Sequence, residues 1–96
     1  MADLQRMGRE AEIVHALRGV IDPEIGLNVV DVGLIYSIDL NADGLAIIRM
    51  TTTTRGCPAA GVLQEAIRLR ALETGVTDVR VELTYDPPWS PDRMKG

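Results

Sequence analysis

One thiol is available to this chain. Cys57 is the only cysteine among 96 residues, and it stands in TTTTRGCP, Thr51 to Pro58, between a glycine and a proline. Pro58 suits the first position of a helix, where a missing N–H costs nothing. The residue before a proline is held extended, so Cys57 is expected at the N-cap, with Gly56 letting the backbone turn. The thiol would then face the free N–H groups and positive end of the following helix, a placement that favours thiolate. A helix end contributes about 0.3–1 kcal/mol, up to about 2 when partly buried, so it lowers a thiol pKa by less than roughly 1.5 units. Arg55 would add to this, and a carboxylate folded nearby would oppose it. The competing reading is a buried cysteine that only packs.

A lone thiol limits the chemistry. Structural zinc wants four ligands and an iron–sulfur cluster typically takes four thiolates, so Cys57 alone holds neither. It could be one ligand of a site shared between chains, a nucleophile or a sulfur acceptor. His15 is the only histidine. It falls opposite the apolar stripe of its helix, which gives a Cys–His pair little support. Asp22-Pro23-Glu24 sets two carboxylates in a rigid turn, either as solvated acids at a helix stop or as a polar cluster that meets Cys57. Thr53 and Thr54 lie where a strand gives way to the cysteine loop, and their hydroxyls could line the same pocket. Asp31, ahead of Gly33, could cap its loop or face a partner. Trp89, among Pro87, Pro88 and Pro91, could staple the tail to the body or, with Asp86 and Arg93, bind a partner.

The elements that must position these residues follow from periodicity. Ile13, Val14, Leu17, Val20 and Ile21 mark one face of a helix over about 9–20, which Asp3–Met7 could extend despite Gly8. Its end is expected near Asp22, ahead of Pro23. Residues 22–33 read as an ordered loop whose Ile25, Leu27, Val29, Val30 and Val32 pack inward. Leu34, Tyr36, Ile38 and Leu40 alternate as the first strand, NADG (41–44) is hairpin chemistry, and a second strand runs over about 45–52. Val62, Leu63, Ala66, Ile67, Leu69 and Leu72 give a second helix over 59–72, with Gly75 ending it. Val79, Val81, Leu83 and Tyr85 give a third strand, and the proline-rich residues 86–96 an extended tail. The order α-β-β-α-β predicts an α+β fold, a small mixed sheet of about three strands with two helices on one face, as a single domain over 1–96. The place of the third strand in the sheet is not readable from this pattern.

Composition bounds the rest. With 46% hydrophobic and 25% charged residues the chain has an ordinary globular balance, but aromatics are 3% and Phe is absent, so the core must be aliphatic. A net charge of -4 gives no basic footprint for nucleic acid. No apolar run reaches the ~18 residues of a membrane span, and MADLQRMGRE lacks the apolar stretch of a signal peptide. A single cysteine fits the reducing cytoplasm.

Three stretches, DPEIGLNVVDVGLIY, TTTTRGCP and LTYDPPWSPDRM, together resemble the metal–sulfur cluster biosynthetic family. That family takes in SufT-type and PaaD-type proteins and a domain that precedes Mrp/ApbC-type cluster carriers. The resemblance covers nearly everything from the first helix to Met94. It implies an iron–sulfur cluster assembly domain with a reactive cysteine at Cys57, an acidic turn at Asp22 and Glu24 beside Ile25, and a hydroxyl pair at Thr53 and Thr54, gathered into one site. Arg55 departs from the proline or alanine of many members. The chain also stops short of a PaaD-type cysteine-rich extension, which favours a SufT-like role. The expected function is therefore an accessory factor in iron–sulfur cluster assembly or delivery, not an enzyme. Its cargo would be iron or a cluster, held transiently or shared between chains through Cys57. Its partners would be assembly proteins and recipient apo-proteins, with a homodimer as the commonest oligomer. The alternatives are an adaptor without metal chemistry and, third, a small thiol enzyme with Asp22 or Glu24 as base.

Overall fold

The computed structural model describes residues 2–94, with side chains from residue 8 onward; Lys95 and Gly96 of the expected tail lie outside them. Helix α1 spans Ala2–Leu17. It ends earlier than Pro23 alone would demand. Arg18, Gly19 and Val20 donate to carbonyls three residues back, at 3.2, 3.1 and 3.0 Å, and this tightening closes the helix. The chain then loops and returns. Asp22 N–H donates to Leu27 O (2.9 Å), Val29 N–H to Val20 O (3.0 Å), and Ile21 pairs with Asn28 in an isolated bridge.

Inside the expected loop lies a one-turn helix, α2, Val29–Val32. Asn28 caps it: its side-chain oxygen accepts from Val30 and Asp31 N–H, and its amide donates to Asp31 Oδ2 (2.9 Å). Gly33 ends it with φ +86°, where a Cβ would stand 2.6 Å from the Arg93 carbonyl.

Strands β1 (Ile35–Leu40) and β2 (Leu45–Met50) form the expected antiparallel hairpin. Helix α3 (Ala60–Leu72) then crosses over to β3 (Asp78–Leu83), which pairs parallel with β2, giving the order β1-β2-β3. The fold class is the predicted one, a mixed three-stranded sheet with helices on one face. Ala46, Ile48 and Met50 of β2 are fully buried between Ile38 and Leu40 on one side and Val79 and Val81 on the other. Over them lie Ile13 and Leu17 of α1 and Leu63, Ile67 and Ala71 of α3. As the composition required, this core is aliphatic.

Several expected positions differ. The simple alternation through β1 breaks at Tyr36, because the register slips between Ile35 and Ser37. Tyr36 instead sends its hydroxyl to Pro87 O (2.8 Å). Ile21, Leu27, Val62 and Leu69 are exposed, since only one stripe of each helix and one side of the loop can face a sheet this narrow. β2 stops at Met50 and β3 at Leu83, so Thr51, Thr52 and Tyr85 belong to the segments leaving the sheet. The tail is not simply extended. Trp89 packs on the core and donates its indole N–H to Val32 O (2.8 Å), and Pro91–Arg93 form a single 3₁₀ turn.

Candidate functional site

The thiol loop leaves β2 through two buried threonines. Thr51 N–H still donates to Leu34 O (2.9 Å), so the chain follows β1 for one residue beyond the strand. Thr52 turns its hydroxyl onto Thr54 O (2.7 Å). Thr53 is half-buried, while Thr54, Arg55 and Gly56 are exposed, and Gly56 adopts φ +71°. The α3 helix begins at Ala60, with Ala59 as its cap, so Cys57 is not the N-cap. One turn precedes the helix, closed by Ala60 N–H to Cys57 O (3.1 Å). Pro58 therefore opens that turn rather than α3.

The acidic turn arrives from the loop after α1. Asp22 is 1% exposed; its Oδ1 accepts Glu24 N–H (2.9 Å) and its carbonyl accepts from Ile25 and Gly26. This fold of the backbone sends Glu24 outward to Cys57, whose Sγ donates to Glu24 Oε1 at 3.1 Å. Cys57 is itself buried, at 7% exposure. Two motifs 33 residues apart in sequence thus meet at one sulfur. Ile25 packs its side chain against the core beneath them.

The electrostatics reverse the expectation of a thiolate. The Cys57 thiol is pushed up from its ordinary value, chiefly because Glu24 accepts its hydrogen bond and secondarily because it is buried. The Ala59 N–H pulls the other way, as the helix-end argument required, but the charges of Glu24 and Asp22 add to the rise. Arg55 does not offset them at the sulfur; its guanidinium lies over the Tyr85 ring, 5.2 Å from the centroid. Cys57 in this resting arrangement is a protonated thiol under a carboxylate.

Of the residues singled out by sequence, Cys57, Asp22, Glu24 and Ile25 come together. Thr53 and Thr54 lie on the same loop, but among the described residues their hydroxyls make no hydrogen bond; the anchored hydroxyl is that of Thr52. Tyr85, which sequence reasoning left as a strand residue, reaches Thr52 Oγ1 at 2.7 Å. His15 is exposed on α1, as its helical position predicted. Trp89, Asp86 and Arg93 stand apart from Cys57. Asp86 and Arg93 line a groove of about 1000 Å³ along β1, with Tyr36, Ser37, Arg49 and Glu82. Arg93 sits over the Tyr36 ring at 4.8 Å. Among the described residues, no three His, Cys, Asp or Glu side chains gather as a cation site. No helix among them is long and apolar enough to cross a membrane.

Residues 10–83 match the family model described as iron-sulfur cluster assembly protein. The chain belongs to that family. The chain is 45% identical over 86 residues to the Fe-S protein maturation auxiliary factor of Porphyromonas gingivalis, covering 88% of this chain and 82% of that one. It is 39% identical over 83 residues to the Fe-S protein maturation auxiliary factor YitW of Bacillus subtilis, covering 85% and 81%. Its fold superposes with a TM-score of 0.89 on the crystal structure of a domain of unknown function, DUF59, from Bacillus anthracis, at 33% identity over 97% of this chain and 90% of the other.

Proposed function

We propose that this family member is an accessory factor in iron–sulfur cluster assembly or delivery to recipient proteins, and that Cys57 is its contact with the cargo, as iron, cluster or persulfide sulfur. The observation that carries this reading is the 3.1 Å contact of Cys57 Sγ with Glu24 Oε1, which joins two separate motifs at a sulfur bordering open loop residues. The auxiliary-factor names of its relatives, in the maturation of Fe-S proteins, support the same class of role. One thiolate per chain falls short of the four a cluster usually takes, so further ligands come from a partner or from a second copy. Glu24 keeps the sulfur protonated until a cationic partner or the cargo itself draws the carboxylate away. A reducing cytoplasm suits a lone free thiol.

The test is anaerobic reconstitution of the purified protein with iron and sulfide, wild type beside Cys57→Ser, read as visible absorbance, iron content and mass. A chromophore with stoichiometric iron that needs Cys57 and appears in a dimer supports direct carriage. Iron content that is the same in both proteins removes Cys57 from the contact. If neither binds iron, the role is tested in the source cell, where Cys57→Ser must lower the activity of iron–sulfur enzymes for the reading to stand.

A further inference from the structure

The cysteine loop is also held by a contact that involves neither Cys57 nor the acidic turn. Thr52 Oγ1 lies 2.7 Å from Thr54 O and 2.7 Å from the Tyr85 hydroxyl. A hydroxyl has one proton and a carbonyl can only accept, so Thr52 donates to Thr54 O, and the Tyr85 O–H must donate to Thr52. The result is a directed chain from Tyr85 through Thr52 to the Thr54 carbonyl, on a side chain that is 2% exposed. Bonds in such a series reinforce one another. Tyr85 is fixed in turn by the sheet, since the preceding residue, Thr84, donates its N–H to Met50 O at 2.8 Å. Its ring carries the Arg55 guanidinium. Thr52, Thr54 and Arg55 are thus all tied to one aromatic side chain from the far edge of the sheet. Beyond them only Gly56 separates the tether from Cys57, and a Cβ at Gly56 would meet nothing within 4 Å.

We propose that Tyr85, acting through Thr52, is the positioning residue that holds the cysteine loop so that Cys57 Sγ stays against Glu24. This deepens the reading of Cys57 as the cargo contact and rests on it for its biological meaning. Tyr85 does not touch the sulfur. It sets how far the loop can swing, and so how often the thiol leaves its carboxylate cover.

The test is the rate of Cys57 alkylation by iodoacetamide in the native protein at one fixed pH, followed by intact mass, with thermal unfolding measured on the same samples. Tyr85→Phe keeps the ring under Arg55 and removes only the donor. It is expected to raise the rate about three- to ten-fold, the scale of one hydrogen bond. Thr52→Val, which removes both bonds, should do at least as much, and Thr52→Ser, which keeps the hydroxyl, should return the rate to within about two-fold of wild type. In a Glu24→Ala background, where the thiol has no acceptor left on that side chain, Tyr85→Phe should add nothing further, because both changes act on the same contact. The proposal is overturned if Tyr85→Phe stays within about two-fold of wild type, if Thr52→Ser reacts as fast as Thr52→Val, or if the Tyr85 and Glu24 effects multiply independently. Because alkylation needs no iron, iron–sulfur enzymes that stay fully active in Cys57→Ser cells would sink the cargo reading, while a Tyr85 effect on alkylation would leave the positioning role standing.

Discussion

Two irregular segments leave the ends of this sheet, and they are fastened in opposite ways. The tail after β3 is tied along its length: the Tyr36 hydroxyl to Pro87, the Trp89 indole to Val32, the Arg93 guanidinium over Tyr36, and Gly33 under the Arg93 carbonyl. The cysteine loop after β2 is tied at its root by Thr52 and Tyr85, and its tip, Arg55 and Gly56, stands exposed. Both use a side-chain donor to hold a main-chain carbonyl. The difference lies in apolar cover. Trp89 adds its ring to the core, whereas the loop carries no large apolar side chain between Met50 and Cys57. One segment is therefore part of the packed body, and the other can move while the body stays fixed.

The comparison is broken most strongly at the tail. Trp89→Ala should cost about 3 kcal/mol in denaturant unfolding, the low end for such truncations because the ring is only half-buried. It should leave Cys57 alkylation unchanged, and a change of more than about two-fold would show that Trp89 also restrains the cysteine loop. Next come two glycines with the same left-handed backbone. Gly33→Ala should cost about 2 kcal/mol or more, since its Cβ meets the Arg93 carbonyl as well as the left-handed penalty. Gly56→Ala should cost about 1 kcal/mol, because only the backbone penalty applies in open space. Equal losses at the two positions would contradict the picture of a packed tail and an open loop.

The smallest effects sharpen the cysteine side. Glu24→Gln should change stability by less than about 1 kcal/mol, as the carboxylate is at the surface. It should also move the pH dependence of Cys57 alkylation to lower pH, because the neutral amide no longer opposes the thiolate. Wild type also carries a pH signature. The folded thiol pKa is raised, so its contribution to stability is complete below the unfolded thiol value of about 8.5 and is lost as pH climbs through the folded value. Unfolding curves from pH 7 to 10 should fall more steeply for wild type than for Cys57→Ala. Parallel curves would mean that Glu24 does not cover the sulfur in solution.

Much of this architecture was legible in apolar spacing. Ile13 and Leu17, Leu63 and Ile67, and the alternation of Ala46, Ile48 and Met50 each specified an element and the face it buries. NADG specified the hairpin. What escaped was local or distant. The α2 turn hid because Asn28 and Asp31 read equally as loop punctuation, although the Asn-x-x-Asp spacing is a capping signal. The bulge at Tyr36 hid because a strand pattern carries no mark of a slipped register. The meeting of Cys57 with Glu24 escaped as well, since placement before a helix speaks only of the helix. The opposing carboxylate arrives from Glu24 through tertiary structure. Thr52 and Tyr85 hid for the same reason: a hydroxyl pair 33 residues apart has no local spacing to betray it.

The carboxylate over Cys57 has one more effect. Peroxide and disulfides react with the thiolate, and a sulfur kept protonated offers them little of it. The contact that keeps Cys57 protonated therefore also guards it against irreversible oxidation. A thiol protected in this way stays reduced in the presence of air for longer than an open thiolate would.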